Sequence, residues 1–244
     1  MYYNTGYGNI YYEKKGEGPG VLFLHGLGGS LDSMYPLSNN LKNYTKIYVD
    51  LPCHGKSDDF EISFIDLAKS LVSLMEYLGF KKFYVVGISL GSLVAETIAI
   101  NFQEHIAKAA FISPATNIDE QSIRIVFDWF SSEEGAAKSL FSKEFYETHK
   151  EEIMEYEKNH PLYPERLSKI VNEIMTFNII DKKSSVNCII IYGEYDNLFG
   201  ERMNNALKKI FRNCSIFKLK TGHAIHRESP LEAEKIIYKF FNNG

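Results

Sequence analysis

The sequence is poor in the features that mark several protein classes. It contains three cysteines in 244 residues, and Cys53, Cys188 and Cys214 are too few and too widely spaced to suggest a disulfide framework or a structural zinc site. No apolar stretch approaches the roughly 20 residues of a membrane-spanning helix. A formal net charge of −4, with both signs mixed along the chain, gives no footprint for nucleic-acid binding.

The first residues, Met-Tyr-Tyr-Asn-Thr-Gly, lack the charged and then apolar segments of a secretory signal. Together with the few, reduced cysteines, this start predicts a cytoplasmic protein. Hydrophobic residues make up 45% of the chain and charged residues 24%, which is ordinary for a globular protein.

Short apolar runs alternate with amphipathic helical patterns through most of the chain. Residues 2–14 alternate weakly about a turn and predict an antiparallel hairpin at a sheet edge. Strands that alternate with helices imply a mostly parallel sheet with helices on both faces. The later apolar runs predict strands near 21–24, 46–50, 83–86, 107–112, 188–192 and 215–219. Helical patterns span about 32–42, 62–78, 89–101, 200–210 and 230–242.

The most informative stretch is a Gly-x-Ser-x-Gly pattern from Gly87 to Gly91, between a predicted strand and a predicted helix. A chain that passes from strand to helix within so few residues needs residues without Cβ on both sides of the corner. Such a nucleophile elbow exposes Ser89 above the end of the strand, beside the first N–H groups of the helix. A simple Gly-rich connection is the alternative, and the flanking strand and helix favour the elbow.

A serine hydroxyl needs a base to take its proton and a third group to orient that base. Ser89, Asp196 and His223 follow one another in the order expected after an elbow, and the last two lie just after predicted strands. We assign Ser89 as nucleophile, His223 as general base and Asp196 as the group that orients the imidazole. His226 is an alternative base, Asp119 an alternative acid, and Asp196 could instead cap the helix near residue 200.

Acyl transfer also requires N–H donors for the oxyanion of the transition state. The backbone N–H of Leu90, directly after the nucleophile, is one candidate. The backbone N–H of Leu27, in the Gly-rich loop from His25 to Gly29, is the other. We expect His25 itself to have a structural hydrogen-bonding role in this loop.

These pieces resemble the α/β-hydrolase superfamily, in its capped esterase, lipase and C–C hydrolase branch. The resemblance runs from about residue 21 to the end of the sequence. The matching segments are His25–Gly28, Asp50–Asp58, Gly87–Gly91, Gly193–Asp196 and Gly222–His223, with Glu228 and Pro230 behind the last.

The resemblance implies an α/β-hydrolase fold with a mostly parallel eight-stranded sheet. Residues 1–114 and 186–244 would form the core, and residues 115–185 a small helical cap inserted after strand six. Cys53 stands where this branch usually carries glycine, and we expect it to alter the loop locally without changing the chemistry.

Ser89 at the elbow separates the chain from epoxide hydrolases and haloalkane dehalogenases, which carry aspartate there. We therefore predict hydrolysis of a small-molecule carboxylic ester through an acyl-enzyme, without a cofactor or metal. Hydrolysis of an acyl thioester or a C–C bond on the same triad is the alternative, and a ligand-binding member without activity is another. In the cap, Trp129 and Phe130 suggest an apolar substrate pocket, and Arg124 or Arg166 could hold a carboxylate or phosphate.

Overall fold

Eight strands form one sheet in the order β1-β2-β4-β3-β5-β6-β7-β8 in the computed structural model, which describes residues 1–116, 133–160, 163–179 and 181–243. The strands from β3 onward pair in parallel, while β2 is antiparallel to both β1 and β4. The predicted edge hairpin and the mostly parallel sheet are therefore confirmed. The strands are β1 Tyr2–Asn4, β2 Asn9–Lys15, β3 Gly20–Leu24, β4 Thr45–Val49, β5 Phe83–Ile88, β6 Ile106–Ile112, β7 Cys188–Gly193 and β8 Cys214–Leu219.

The central strands are apolar at successive positions because both faces of the sheet are covered. Side chains alternate between the faces of a strand, so Leu22 and Leu24 join one buried cluster. Val21 and Phe23 join the cluster on the opposite face. The apolar runs in the sequence thus reflect two cores with one sheet between them.

Helices from the intervening segments cover these two faces. Helices α1, α2 and α6 contribute to the first cluster, and α8 packs in the second with the 3₁₀ helix Leu31–Leu37. The helices are α1 Phe64–Tyr77, α2 Leu90–Asn101, α3 Glu133–Leu140, α4 Lys143–Asn159, α5 Pro164–Thr176, α6 Gly200–Ile210, α7 Ile225–Glu228 and α8 Pro230–Asn242. A short 3₁₀ turn, Gln103–His105, precedes β6.

The helix predicted over about 32–42 is shorter than expected and of a different type. Residues Leu31–Leu37 form a 3₁₀ helix that contains Pro36. Its buried side chains, Leu31, Met34 and Leu37, recur every three residues, which is the period of a 3₁₀ helix. The same spacing also fits one face of an α-helix, which explains the prediction.

Helices α3, α4 and α5 lie between β6 and β7, which are neighbours in the sheet. Within 133–160, 163–179 and 181–187, the chain between these two strands adds no further strand to the sheet. Across the described part of the chain, no helix combines the length and the apolar character needed to cross a bilayer.

Candidate active site

The residues singled out from the sequence collect at one edge of the sheet. Because β3 to β8 are parallel, their carboxyl ends share this edge, where ligands of open α/β sheets bind. The loops after β3, β5, β7 and β8 carry Leu27, Ser89, Asp196 and His223, respectively.

Ser89 lies at the turn between β5 and α2 with φ 52° and ψ −115°. This region of backbone space is sparsely populated for a residue with a side chain, at a cost of about 1–3 kcal/mol. Hydrogen bonds hold the turn: the Ser89 N–H donates to the Ile112 carbonyl (3.0 Å), and the Leu93 N–H donates to the Ser89 carbonyl (3.1 Å). The predicted corner thus has the strained backbone of an elbow.

The two glycines of the motif are required by close backbone contacts. A Cβ on Gly87 would lie 2.2 Å from the Gly91 carbonyl oxygen, and a Cβ on Gly91 would lie 2.1 Å from the Leu24 carbonyl oxygen. Neither neighbour is a flexible side chain that could move away. Both glycines are therefore needed for the strand to pass so sharply into the helix.

Asp196 and His223 form a buried hydrogen-bonded pair. The His223 Nδ1 lies 2.8 Å from the Asp196 Oδ2, and the two side chains are 4% and 1% exposed. A carboxylate only accepts hydrogen bonds, so Nδ1 donates, and Nε2 is the nitrogen that carries the lone pair in the neutral ring. The Nε2 atom is buried and has no hydrogen-bond partner among the described residues.

The other oxygen of Asp196 accepts hydrogen bonds from the N–H groups of Leu198 (2.9 Å) and Phe199 (3.3 Å). Burial alone would raise the pKa of Asp196, but the nearby His223 and these hydrogen bonds hold the pKa below its ordinary value. The carboxylate therefore stays ionised at neutral pH. Asp196 braces the turn before α6 and binds His223 at the same time, whereas α6 itself begins only at Gly200.

Ser89 and His223 line the same cavity, whose volume is about 100 Å³. The structure thus brings two of the predicted site residues together, and places the third behind His223. The hydroxyl of Ser113, directly after β6, donates to the His223 carbonyl (2.7 Å) and so anchors the loop that carries His223. The cavity is also lined by Leu27, Ile88, Leu140, Phe141, Tyr156, Glu157, Ala224, His226 and Arg227, with glycines 26, 28 and 29 and Ser33.

The two predicted oxyanion donors have no competing acceptor in the described ranges. Leu90 is the first residue of α2, so its N–H lies at a helix start without an intrahelical partner. Leu27 lines the cavity in the loop after β3, and no hydrogen bond engages its N–H within the described structure.

Two buried histidines hold the loop that carries Leu27. The Nε2 atom of His25 accepts the Leu51 N–H (3.0 Å), and that of His54 accepts the Gly28 N–H (2.9 Å). Each Nδ1 lies within 2.8 Å of a nearby carbonyl oxygen and donates to it. Burial lowers the pKa of His25 to about 4 and, with the additional effect of His25, the pKa of His54 to about 3. Both rings are therefore neutral, and the structural role expected for His25 fits this geometry.

Cys53, at a position where glycine is usual in the resembling branch, adopts a glycine-like backbone conformation. Its φ is 67°, in the region that favours glycine. The thiol is buried, and burial raises its pKa, which is the opposite of what a reactive thiol requires.

Sequence reasoning gave Glu228 no role beyond its place in the family resemblance, yet its carboxylate links two parts of the site. Its Oε1 accepts the N–H groups of Gly222 (2.7 Å) and Ser142 (2.9 Å), and its Oε2 accepts the Ser142 hydroxyl (2.7 Å). Ser142 caps the start of α4, and Gly222 precedes His223. Glu228 therefore ties α4 to the loop that carries His223.

The proposed substrate-binding residues Arg124, Trp129 and Phe130, and the alternative acid Asp119, lie outside the described residues. Arg166 does not line the Ser89 cavity. Its Nε donates to Asp59 (2.8 Å), and its side chain lines a neighbouring cavity of about 270 Å³. The described part of the chain has no group of three His, Cys, Asp or Glu side chains placed to hold a metal ion.

The chain is similar to several known proteins. It is 24% identical over 248 residues to the uncharacterized hydrolase YugF of Bacillus subtilis, and the match covers 91% of this chain and 90% of that one. It is 33% identical over 109 residues to the dihydrolipoyllysine-residue acetyltransferase component of the acetoin cleaving system of Cupriavidus necator. That second match covers 43% of this chain and only 29% of the relative.

A solved alpha/beta hydrolase enzyme from a Medee basin deep-sea metagenome library shares the fold, with a TM-score of 0.90 and 21% identity. The superposition covers 97% of this chain and 95% of that enzyme. The family described as alpha/beta hydrolase fold matches residues 19–145, which is more than half of the sequence. These findings support a hydrolase activity, and the chain belongs to the alpha/beta hydrolase fold family.

Proposed function

We propose that this protein is a serine hydrolase that cleaves small carboxylic esters through Ser89, His223 and Asp196. The observation that carries the proposal is the state of His223. Its Nδ1 is fixed by Asp196, its Nε2 is buried without a partner among the described residues, and its side chain lines a cavity together with Ser89. A buried nitrogen with a lone pair, on a side chain that lines the same cavity as a strained serine, suits a general base.

In this mechanism the Ser89 hydroxyl attacks the ester carbonyl while His223 Nε2 takes its proton. The negative oxygen of the tetrahedral intermediate is bound by the N–H groups of Leu27 and Leu90, and the loss of one such donor typically costs about 2.7–4 kcal/mol. His223 then protonates the departing alcohol. Water, activated by His223, attacks the acyl-enzyme and releases the acid. Asp196 stays ionised and stabilises the imidazolium that forms in each half-reaction.

We assign the substrate-enclosing role to the segment between β6 and β7, the predicted cap at 115–185. Leu140, the last residue of α3, and Phe141, which follows it, line the cavity, as do Tyr156 and Glu157 of α4. The Ala224 N–H, next to His223, donates to the Leu140 carbonyl (2.9 Å). These contacts support a segment that closes over the catalytic residues.

The size of the cavity favours a short acyl group. One water molecule needs about 10–15 Å³ of such cavity volume, so a cavity of about 100 Å³ accommodates on the order of seven to ten heavy atoms. Its walls include Leu27, Ile88 and Ala224, which suit an alkyl chain. We expect activity to be highest with acyl chains of about four carbons and to fall steeply for long chains.

The test is hydrolysis of p-nitrophenyl esters from acetate to palmitate by the wild-type protein and by Ser89→Ala. We expect a maximum at butanoate and a loss of at least about 10³-fold in kcat in the variant. Intact-mass analysis after treatment with a fluorophosphonate should show one adduct on the wild type and none on Ser89→Ala.

The two measurements separate the alternatives. Labelling without ester turnover would indicate that the same triad acts on an acyl thioester or on a C–C bond. A folded protein that is neither labelled nor active would refute the catalytic role of Ser89 and favour a ligand-binding protein.

A further inference from the structure

The catalytic cavity contains a histidine that the proposed mechanism does not use. His226 lies three residues after His223, and both side chains line the cavity with Ser89. The Nδ1 atom of His226 is buried and has no hydrogen-bond partner in the described part of the chain. An unpaired buried nitrogen costs free energy, so a polar group with this environment calls for a specific explanation.

The neighbouring Arg227 presents a second polar group to the same cavity. Its guanidinium carbon lies 4.2 Å from the ring centroid of Tyr156 and 4.9 Å from that of Phe141. One nitrogen donates to the Glu157 carboxylate (3.0 Å). A guanidinium is planar and has five N–H donors. These contacts fix its orientation, and the described residues accept from only one of its nitrogens.

The charges in this part of the cavity balance. Glu157 offsets the charge of Arg227. Burial, followed by the positive charge of Arg227, lowers the pKa of His226 to about 3, so its ring is neutral at physiological pH and offers one donor and one acceptor. A substrate carboxylate placed here would be repelled by Glu157, whereas an uncharged oxygen would not.

We propose that His226 and Arg227 form a polar subsite that binds an uncharged oxygen on the acyl part of the substrate. This inference rests on the proposed function and narrows it to short acyl esters that carry a hydroxyl or keto group. Since the cavity is only about 100 Å³, that oxygen lies within a few bonds of the scissile carbonyl.

The subsite is tested with three ethyl esters of similar length: ethyl butanoate, ethyl 3-hydroxybutanoate and monoethyl succinate. We expect the wild type to favour the hydroxylated ester over ethyl butanoate by about tenfold in kcat/KM, the value of one hydrogen bond. Monoethyl succinate should be the poorest of the three. His226→Leu should bring the ratio of hydroxylated to plain ester close to one.

Two further variants of the subsite refine the result. His226→Asn retains a donor and an acceptor near the position of Nδ1, and should keep part of the preference. Arg227→Lys retains the charge but loses the planar fork, and should lower the ratio severalfold. His105→Asn is the matched control, since His105 lies outside the cavity and donates to the Lys81 carbonyl; it should leave the ratio at the wild-type value.

Binding to Ser89→Ala, followed by ligand-observed NMR, tests the subsite independently of ester turnover. The hydroxylated ester should bind about tenfold more tightly than ethyl butanoate, and Ser89→Ala/His226→Leu should lose this difference. A ratio that His226→Leu leaves unchanged, or a preference for monoethyl succinate, would overturn the subsite. Absence of turnover with the binding difference intact would instead refute the ester hydrolysis proposed above.

Discussion

Replacement of Glu228 by alanine removes the carboxylate that joins the His223 loop to α4. Two backbone N–H groups, those of Gly222 and Ser142, and the Ser142 hydroxyl then lose their acceptor. An unsatisfied buried donor costs about 1–3 kcal/mol. Glu228 is only half-buried, so water replaces part of the lost bonding, and we expect the free energy of unfolding to fall by about 2–4 kcal/mol.

Glu228→Gln is the informative variant to compare with Glu228→Ala. Its amide oxygen still accepts both N–H groups, and the Ser142 hydroxyl can accept from the new NH₂ group. Only the charge is lost, so we expect a fall of about 1 kcal/mol in the free energy of unfolding. Glu232→Ala is the control, because Glu232 is exposed and accepts one hydrogen bond, from Ser229; its effect should be below about 0.5 kcal/mol.

Urea denaturation gives the stability of the three variants, and hydrolysis of p-nitrophenyl butanoate their activity. Because Gly222 precedes His223, loss of its anchor should displace the imidazole and lower kcat by about 10- to 100-fold in Glu228→Ala. KM should change little, since no contact with the acyl chain is removed. A wild-type urea midpoint and kcat in Glu228→Ala would refute the role assigned to this carboxylate.

Two further predictions concern buried carboxyl groups. Asp196→Asn should lower kcat on the order of 10⁴-fold, because the amide can donate to His223 Nδ1 and stabilise the wrong tautomer; a loss below tenfold in steady-state kinetics would contradict the assignment of Asp196. Glu96 on α2 is fully buried and accepts hydrogen bonds from Ser92 (2.8 Å) and Thr116 (2.6 Å), and burial, only partly offset by these bonds, raises its pKa to about 8. Between pH of about 4.5 and 8 the folded state therefore binds the Glu96 proton more tightly than the unfolded state, so stability should fall by a few kcal/mol as the pH rises. Urea midpoints at pH 5 and pH 8 should differ less in Glu96→Gln than in the wild type, and equal pH dependence in the two proteins would contradict this.

Much of the fold follows from local patterns in the sequence. The buried strands begin and end within one or two residues of the apolar runs, because a sheet covered on both faces requires apolar side chains at successive positions. The exception is the 3₁₀ helix Leu31–Leu37, whose three-residue spacing of apolar positions does not distinguish it from an α-helix.

The residues of the site also fall into those that local sequence patterns predict and those that they do not. The strand–turn–helix pattern around Ser89 and the order of the later loops predicted which residues meet at the sheet edge. The sequence indicates His226 only as an alternative base, and no pattern in it singles out Arg227 or Glu157. Their place in the cavity depends on how α4 packs against the loop after β8, and no local sequence pattern encodes a contact between segments 70 residues apart, such as that between Glu157 and Arg227.

At Ser89, the backbone geometry that suits the proposed catalytic role lowers the stability of the fold. Among the described residues, only Cys53, Ser89 and Ser113 combine a side chain with a positive φ, and each follows a parallel strand at the edge where the site lies. Glycine would relieve the strain at Ser89, so selection for stability alone would favour a residue without a hydroxyl. The serine that we propose as the nucleophile therefore represents a trade-off, in which a less stable fold keeps a hydroxyl group at the cavity.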